Sequence, residues 1–337
     1  MGLVARVHEH PDVYRISIDL LGNPLRALNV YVIKDGKDAL VVDTGFNAQE
    51  CYERFAQSLD ELDLDPCRTE LFLTHGHVDH IGLAHRLSNR VSRIYLSEED
   101  YCLIRGTAAG HWQDETVAAL VRDGFSESEA RAICIDNPIL QYLPELPFGF
   151  ENVYDEKEIY VGDLALRCIA TPGHTAGHTC LFEPSSKLLF SGDHILFDIS
   201  PNVASWQNET YADSLSAYID SLHKVRDLDC SLVFPGHRKP SCSLRERVDE
   251  LIFHHEGRLR ECLGVLLGKR ECTCLEVAKD IGWHIPGSGW NEYPNGQKLF
   301  AENETRAHLD HLVVTGKAAK RISDGLCLYS AIESRGA

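Results

Sequence analysis

The chain has 337 residues, 44% of them hydrophobic, and a formal net charge of −18 at pH 7. This length suits two domains, and the absence of any run of 18 apolar residues excludes a membrane-spanning helix. The acidic balance disfavours non-specific binding to nucleic acid or anionic membranes, since both are negatively charged. Residues 1–242 hold 20 basic against 37 acidic side chains, whereas residues 243–337 hold 13 against 14.

The N-terminus and the cysteines indicate a reducing compartment. Residues 1–6 lack the apolar core of a signal peptide. The 12 cysteines are scattered and form no Cys-x-x-Cys pair. We therefore predict a cytoplasmic protein with reduced, mostly buried thiols and no membrane partner.

The first 75 residues have the pattern of an α/β fold. Alternating or apolar runs predict strands at 13–19, 29–33 and 39–45, and a helix follows at about 48–61. Asp43 comes near the end of the third strand, just before Gly45. Such an aspartate either caps a turn or braces a neighbouring ligand loop.

The next predicted strand, Leu71–Leu73, leads into the sequence Thr-His-Gly-His-Val-Asp-His. Its chemically active members are His75, His77, Asp79 and His80. Three imidazoles and a carboxylate within six residues, on a turn after a strand, are typical of a divalent metal site, with zinc preferred. We expect a helix over about 81–88 after this turn.

Residues 97–147 interrupt the alternation of strands and helices. Ser97 followed by three acidic residues predicts a helix N-cap, and Ser126 begins a second helix in the same way. We interpret the stretch as a helical insertion that forms a lid or a substrate wall. Trp112, Tyr142 and Phe148 either line a pocket there or simply pack.

Three later strands also end in short turns that carry a potential ligand. These turns hold His174, Asp193 and His237. His178 and His194 lie close to them in sequence.

Together these residues identify a family. The pattern His-x-His-x-Asp-His after an apolar strand, with His174, Asp193 and His237 following in order, resembles the metallo-β-lactamase superfamily over about residues 10–240. The resemblance implies an α/β fold built as an αββα sandwich, in which two mixed sheets carry helices on their outer faces and metals at one edge.

The resemblance also implies the roles of the site residues. His75, His77 and His174 would hold one divalent ion, Asp79, His80 and His237 a second, and Asp193 would bridge both. Zn²⁺ is favoured, with Fe or Mn as alternatives. In this family a hydroxide shared by two metals attacks the substrate, and Asp79 would act catalytically by orienting it. His178 and His194 fall outside the ligand pattern.

Residues 243–337 form a separate C-terminal segment. Helical spacing predicts helices at 243–267, 274–282 and 301–315, and Ser323-Asp324-Gly325 predicts a hairpin turn. This order resembles the winged-helix α+β domain appended to one branch of the superfamily. The segment has no dense basic face, so we expect it to close the active-site mouth or form a homodimer and not to bind nucleic acid.

The resemblance implies a dinuclear metal-dependent hydrolase. An aspartate at position 193, where the lactamase branch has cysteine, is similar to the thioesterases, lactonases and nucleases of the family. We expect a small carbonyl substrate, such as an acyl-CoA-type thioester or an ester. The alternatives are a single-strand endoribonuclease, a lactonase and a non-catalytic ligand-binding regulator.

Overall fold

The computed structural model describes residues 4–20, 22–135, 137–205, 213–283 and 289–332. The chain forms two compact units. The first comprises the described residues of Met1–Arg105, Ile139–Pro201 and Ser221–Val248. The second comprises the described residues of Gly106–Pro138, Asn202–Asp220 and Asp249–Ala337. The middle of the helical insertion thus groups with the C-terminal residues, and the domain boundary expected at 242 stays a prediction.

The first unit contains a seven-stranded sheet whose strands follow chain order. They are β1 (Val4–Glu9), β2 (Asp12–Asp19), β3 (Ala27–Asp35), β4 (Asp38–Val42), β5 (Thr69–Phe72), β6 (Arg93–Leu96) and β7 (Glu151–Asn152). Strands β1 to β4 pair antiparallel and β4 to β7 pair parallel. Strand β4 ends before the predicted residue 45, because Asp43 adopts a positive φ of 66° that extended strands do not use.

A five-stranded sheet completes the first unit, with the order β12-β11-β10-β9-β8. Its strands are β8 (Glu158–Val161), β9 (Leu164–Ala170), β10 (Thr179–Glu183), β11 (Leu188–Gly192) and β12 (Leu232–Pro235). Only β11 and β12 pair parallel among these strands. The C-terminal ends of β9, β11 and β12 therefore meet at one edge.

The two sheets enclose a shared apolar core. Tyr31 and Phe72 come from the first sheet, and Leu181 and Phe190 from the second, and all four side chains are buried. The Tyr31 ring lies 5.7 Å from the Phe190 ring in an edge-on contact. This packing fixes the two sheets face to face, as the αββα prediction requires.

The opposite face of the first sheet is covered by helix α1 (Gln49–Glu61). Its buried residues Cys51, Phe55 and Leu59 share a core with Ile16 and Ile18 of β2. These helix residues are spaced four apart, which places them on one face. The amphipathic pattern predicted for 48–61 is therefore realised as an outer helical layer.

The prediction of one helix over about 81–88 was wrong, because the structure has two short helices and the first begins earlier. Instead, α2 (Val78–Ile81) begins within the histidine motif and α3 (Ala84–Leu87) follows after a break. Gly82 lies so close to Asn47 N and Gly45 O that no Cβ fits there. The backbone thus turns against the 45–47 loop, and Asp79 and His80 are helical residues.

The remaining helices are longer and lie mostly in the second unit. They are α4 (Glu98–Ala108), α5 (His111–Arg122), α6 (Glu127–Ile135), α7 (Ser214–Arg226), α8 (Leu244–Gly268), α9 (Cys274–Asp280) and α10 (Asn295–Val314). The insertion is helical, as predicted. Helix α10 begins at Asn295 and not at 301, because Gln297 N and Lys298 N bond to Pro294 O and open the helix there.

The second unit has its own core between helices and a hairpin. Strands β13 (Ala318–Ser323) and β14 (Leu326–Ala331) form the hairpin expected around Asp324-Gly325. Buried Leu309 and Tyr329 share a cluster with Cys262 and Val277. The winged-helix assignment stays a prediction. Across the described residues, no helix has both the length and the apolar character needed to cross a bilayer.

Candidate metal centre

Four of the predicted ligands lie just beyond strand β5 in the first unit. His75 and His77 occupy the loop after Phe72, and His77 precedes the first residue of α2. Asp79 and His80 belong to α2 itself. His75 and His80 are fully buried, whereas His77 is half-buried.

The other three ligands come from the second sheet of the same unit. His174 lies in the loop between β9 and β10, Asp193 follows β11, and His237 follows β12. Each strand is held by its neighbours in the sheet, so the three loops start from fixed positions. All three side chains are buried.

The seven side chains converge, although they come from loops up to 162 positions apart in the sequence. Their ligand atoms form three overlapping groups in which all atoms lie within 4.8 Å of one another. The groups are His75, His77, His174; His75, His80, Asp193; and Asp79, His80, His237. The first and third groups match the two predicted metal positions, and their roles as ligands stay a prediction.

Asp193 lies between the two outer groups. Its Oδ2 is 3.7 Å from His174 Nε2 and 3.6 Å from His237 Nε2, and its Oδ1 is 3.5 Å from His80 Nε2. On the far side, Asp79 Oδ2 is 3.3 Å from His237 Nε2. One carboxylate is therefore within reach of nitrogen atoms from both groups.

The polar atoms at the centre test whether the residues fit metal ions. His80 Nε2, His237 Nε2 and Asp193 Oδ1 are buried and make no hydrogen bond within the described part of the chain. Buried polar atoms normally have partners, because leaving them unpaired costs about 1–3 kcal/mol each. A set of imidazole and carboxylate atoms with this arrangement fits Zn²⁺ and related divalent ions.

The opposite ring nitrogens are fixed by groups outside the centre. His80 Nδ1 donates to Asp43 Oδ2 at 2.8 Å, and His237 Nδ1 donates to Ala27 O at 2.8 Å. Asp43 is itself held by Thr74, whose backbone N–H donates to Asp43 Oδ1 at 2.8 Å. Since Nδ1 is the donor in both hydrogen bonds, the neutral form of each ring directs its Nε2 lone pair at the centre. Asp43 is thus the brace that the sequence suggested.

Burial and neighbouring charges shift the pKa values of the predicted ligands in different directions. Burial lowers the pKa of His77 to about 3, and His174 acts in the same direction. Burial alone would raise the pKa of Asp79, but His80 and His237 hold it at about 2. Burial alone would lower the pKa of His80 and His237, but the neighbouring carboxylates, Asp193 and Asp79 among them, raise both above the usual value. Because metal binds neutral imidazole, binding at these two histidines would release protons.

The two histidines outside the ligand pattern are also buried near the centre. His178 Nδ1 contacts Thr171 Oγ1 at 2.8 Å, and His178 Nε2 accepts the Asp193 N–H at 3.2 Å. His178 therefore positions the backbone of Asp193. The His194 ring lies 5.9 Å from the His178 ring and belongs to none of the three ligand groups.

Sequence reasoning missed one buried carboxylate in this region, that of Asp100. The sequence shows it only as the third acid after Ser97, a pattern that helix capping already explains. In the fold Asp100 is fully buried and accepts hydrogen bonds from Gly76 N, Thr175 Oγ1 and Gly177 N. Burial raises its pKa to about 6, against the effect of these hydrogen bonds.

The aromatic residues of the insertion belong to two different apolar clusters. Trp112 packs against the apolar cluster of the second unit that includes Val117 and Leu120. In the first unit, Tyr142 stacks on Phe46 at 4.2 Å, and Phe148 lies 5.5 Å from the Tyr101 ring. Of the two expectations for these residues, the packing role is the one that these contacts support.

Comparison with known proteins agrees with the geometry. The family described as the metallo-beta-lactamase superfamily matches residues 24–237, a range that includes all seven predicted ligands. The chain belongs to the metallo-beta-lactamase superfamily. The Beta-lactamase-like protein 2 homolog of Caenorhabditis elegans is 36% identical over 295 residues, which cover 87% of this chain and 80% of that protein.

More distant members of the superfamily extend the match. Lactamase-like protein adaB of Aspergillus niger is 23% identical over 273 residues, covering 79% of this chain and 69% of that protein. A metallo-beta-lactamase family protein from Thermus thermophilus superposes with a TM-score of 0.75 at 24% identity, covering 95% and 98% of the two chains. A Beta-lactamase domain protein from Burkholderia ambifaria gives 0.77 at 23% identity, covering 98% and 95%. The two structures establish the fold.

Proposed function

We propose that this metallo-beta-lactamase superfamily hydrolase uses two divalent metal ions, Zn²⁺ by preference, to hydrolyse a small thioester or ester. The observation that carries the proposal is Asp193, whose carboxylate lies 3.5–3.7 Å from nitrogens of both ligand groups. A carboxylate has two oxygens, so one that lies between two ligand groups could serve a cation in each. The class of reaction follows from membership of the family, and the substrate class is our proposal.

Two bound ions would supply a water nucleophile with a pKa near 7 and a Lewis acid for the developing oxyanion. His75, His77 and His174 would hold one ion, and Asp79, His80 and His237 the other. The ionised Asp79 carboxylate could accept a hydrogen bond from such a water and orient it. His77 is only half-buried and marks the side from which solvent reaches the centre.

The charge of the chain supports a small substrate. A net charge of −18 repels polyanions, and nuclease binding depends on several cationic contacts to phosphates. A carbonyl substrate needs no such contacts. Water attack on a thioester forms a C–O bond, breaks the C–S bond and releases an acid and a thiol.

A substrate panel tests the proposal. Metal-loaded full-length enzyme is assayed against acetyl-CoA, a glutathione thioester, a homoserine lactone, a β-lactam and short single-stranded RNA. We expect the highest kcat/KM on a thioester or ester, lost in Asp193→Ala and on chelation and restored by Zn²⁺. RNA cleavage as the dominant activity, abolished in the same variant, would contradict the substrate assignment and favour the endoribonuclease alternative.

A further inference from the structure

Asp100 connects two ligand-bearing loops that are distant in sequence. It lies in the first turn of α4 in the first unit. Its Oδ2 accepts hydrogen bonds from Gly76 N at 2.7 Å and Thr175 Oγ1 at 2.7 Å, and its Oδ1 accepts one from Gly177 N at 2.9 Å. Gly76 lies between His75 and His77, and Thr175 follows His174. A single buried carboxylate thus bonds to both halves of the first ligand group.

An added Cβ would be crowded at Gly76 and would clash at Gly177. A Cβ at Gly76 would lie 3.1 Å from Asp100 Cβ and 3.2 Å from Asp100 O. A Cβ at Gly177 would lie 2.9 Å from Asp100 Oδ1 and would overlap Ser97 Oγ. Both loops therefore use glycine where they approach this carboxylate, as close backbone approach requires.

Helix capping does not explain the burial of Asp100. Ser97 caps α4, since Asp100 N donates to Ser97 Oγ at 3.2 Å. An acid at this position commonly reaches back to the N-cap backbone, but here both carboxylate oxygens bond to the ligand loops. Glu98 and Glu99, the other acids of this turn, are exposed.

We infer that Asp100 is a positioning residue for the first ligand group, setting the separation between the loop of His75 and His77 and the loop of His174. The inference rests on the proposed function, because it concerns metal held by these histidines. Groups that orient metal ligands typically contribute about 10–100-fold to metal affinity. Asp100 acts through the two backbones and does not itself bind metal.

Replacement by asparagine tests the role without changing side-chain size. An amide offers one acceptor oxygen and one donor nitrogen, so in either orientation its NH₂ opposes the N–H of Gly76 or Gly177. A separate hydrogen bond from Thr179 N to Thr74 O, 2.9 Å long, still joins the two loops. Asp100→Asn is therefore expected to fold but to lose the exact spacing of the histidines.

The matched control is Glu99→Gln. It removes the same charge from the same helical turn, one residue away, at an exposed side chain. Metal-free full-length protein is titrated with Co²⁺ and followed by d–d absorption, and His77→Ala identifies the binding step that belongs to the first group. Thermal unfolding of each variant is measured in parallel.

We expect Asp100→Asn to bind Co²⁺ at the first group about 10–100-fold more weakly, with an altered absorption spectrum, and to keep the second step. Glu99→Gln should match the wild type. Wild-type affinity and spectrum in Asp100→Asn would overturn the positioning role and leave the proposed function intact. A wild-type chain that binds no Co²⁺ would overturn both.

A second pair of variants decides the matter if Asp100→Asn does not fold. Thr175→Val removes one donor to the carboxylate, whereas Thr175→Ser keeps it. Weaker Co²⁺ binding in the valine variant alone supports the inference. Equal affinities in the two variants would overturn it.

Discussion

Two buried, histidine-rich clusters can be compared in this chain. One is the candidate metal centre of the first unit. The other lies between α8 and α10 of the second unit and is formed by His254, His255, Arg258, Glu304 and His308, which we call the α8–α10 cluster. Only the first brings three or more ligand atoms within 4.8 Å of one another among the described residues.

The difference lies in where the ring nitrogens find their partners. In the α8–α10 cluster, His308 Nδ1 donates to Glu304 O at 2.6 Å, so His308 Nε2 accepts from His255 Nδ1 at 3.1 Å. His255 and His308 thus pair with each other, and His308 also pairs with its own helix. In the metal centre Asp43 and Ala27 O take the outer nitrogens, which leaves the inner lone pairs convergent. His75 Nε2 and His77 Nδ1 also lie 3.1 Å apart in that centre, so the outward hydrogen bonds of His80 and His237 are what distinguish it from the α8–α10 cluster.

The largest effect is expected from a substitution that disrupts the candidate metal centre and leaves the α8–α10 cluster intact. Asp193→Ala removes the carboxylate between both ligand groups, so we expect loss of both ions and a fall in kcat/KM of about 10³-fold or more. His255→Asn in the α8–α10 cluster serves as the control and should retain its metal. Metal content is measured by elemental analysis of both purified variants. An equal loss of metal in the two would contradict the distinction between the two clusters.

Single substitutions that each remove a ligand of one group should have a smaller effect and distinguish the two groups. His237→Ala should leave the first group occupied and reduce the metal content to about one ion per chain, with activity lower by about 10²-fold, since one metal of a two-metal clamp is lost. His77→Ala should lose the other ion. Metal content that stays at two per chain in both variants would show that these histidines are not ligands.

A third prediction concerns a buried carboxylate of the second unit. Asp79 in the metal centre is ionised, whereas burial raises the pKa of Glu302 from 4.5 to about 8, with Asp123 adding to this effect and Arg306 opposing it. The folded state therefore holds this proton more tightly than the unfolded chain. The contribution of protonated Glu302 to the free energy of unfolding is complete below pH 4.5 and is lost as the pH rises to about 8.

Glu302→Gln should remove this dependence, because glutamine resembles the protonated acid. We expect the free energy of unfolding of the wild type to fall with pH by a few kcal/mol more than that of the variant, at up to about 1.4 kcal/mol per pH unit. Chemical denaturation at pH 5, 6.5 and 8 measures the difference, with exposed Glu256→Gln as the control. Parallel pH profiles for wild type and Glu302→Gln would refute the prediction.

The smallest expected effect is the absence of nucleic-acid binding. The chain carries a net charge of −18, and residues 243–337 are close to neutral. Binding to duplex DNA and single-stranded RNA is measured for the full chain over a range of salt concentrations. We expect no micromolar binding even at low salt, where screening is weakest. Tight binding that weakens steeply with salt would point to an unrecognised cationic surface.

Much of the metal centre could be predicted from the sequence because its ligands recur at strand ends. His75, His77, Asp79 and His80 are adjacent in the chain, and His174, Asp193 and His237 each follow a short apolar strand. Asp100 could not be predicted, since its partners lie 24 and more residues away and its own position has a local explanation as a helix acid. Trp112, Tyr142 and Phe148 were equally ambiguous, because an apolar residue in an insertion packs or binds according to its neighbours.

The sequence by itself determined the family, the alternation of strands and helices, and the residue types that can hold two metals. Local spacing is enough for these, because strand periodicity and ligand chemistry are properties of short segments. Only the tertiary structure decided that Asp193 lies between the two ligand groups and that His80 and His237 direct Nε2 inward. It also decided that the histidines of α8 and α10 pair with one another. These outcomes depend on contacts across loops and sheets, where the distance between two side chains is set by packing and not by their separation in the chain.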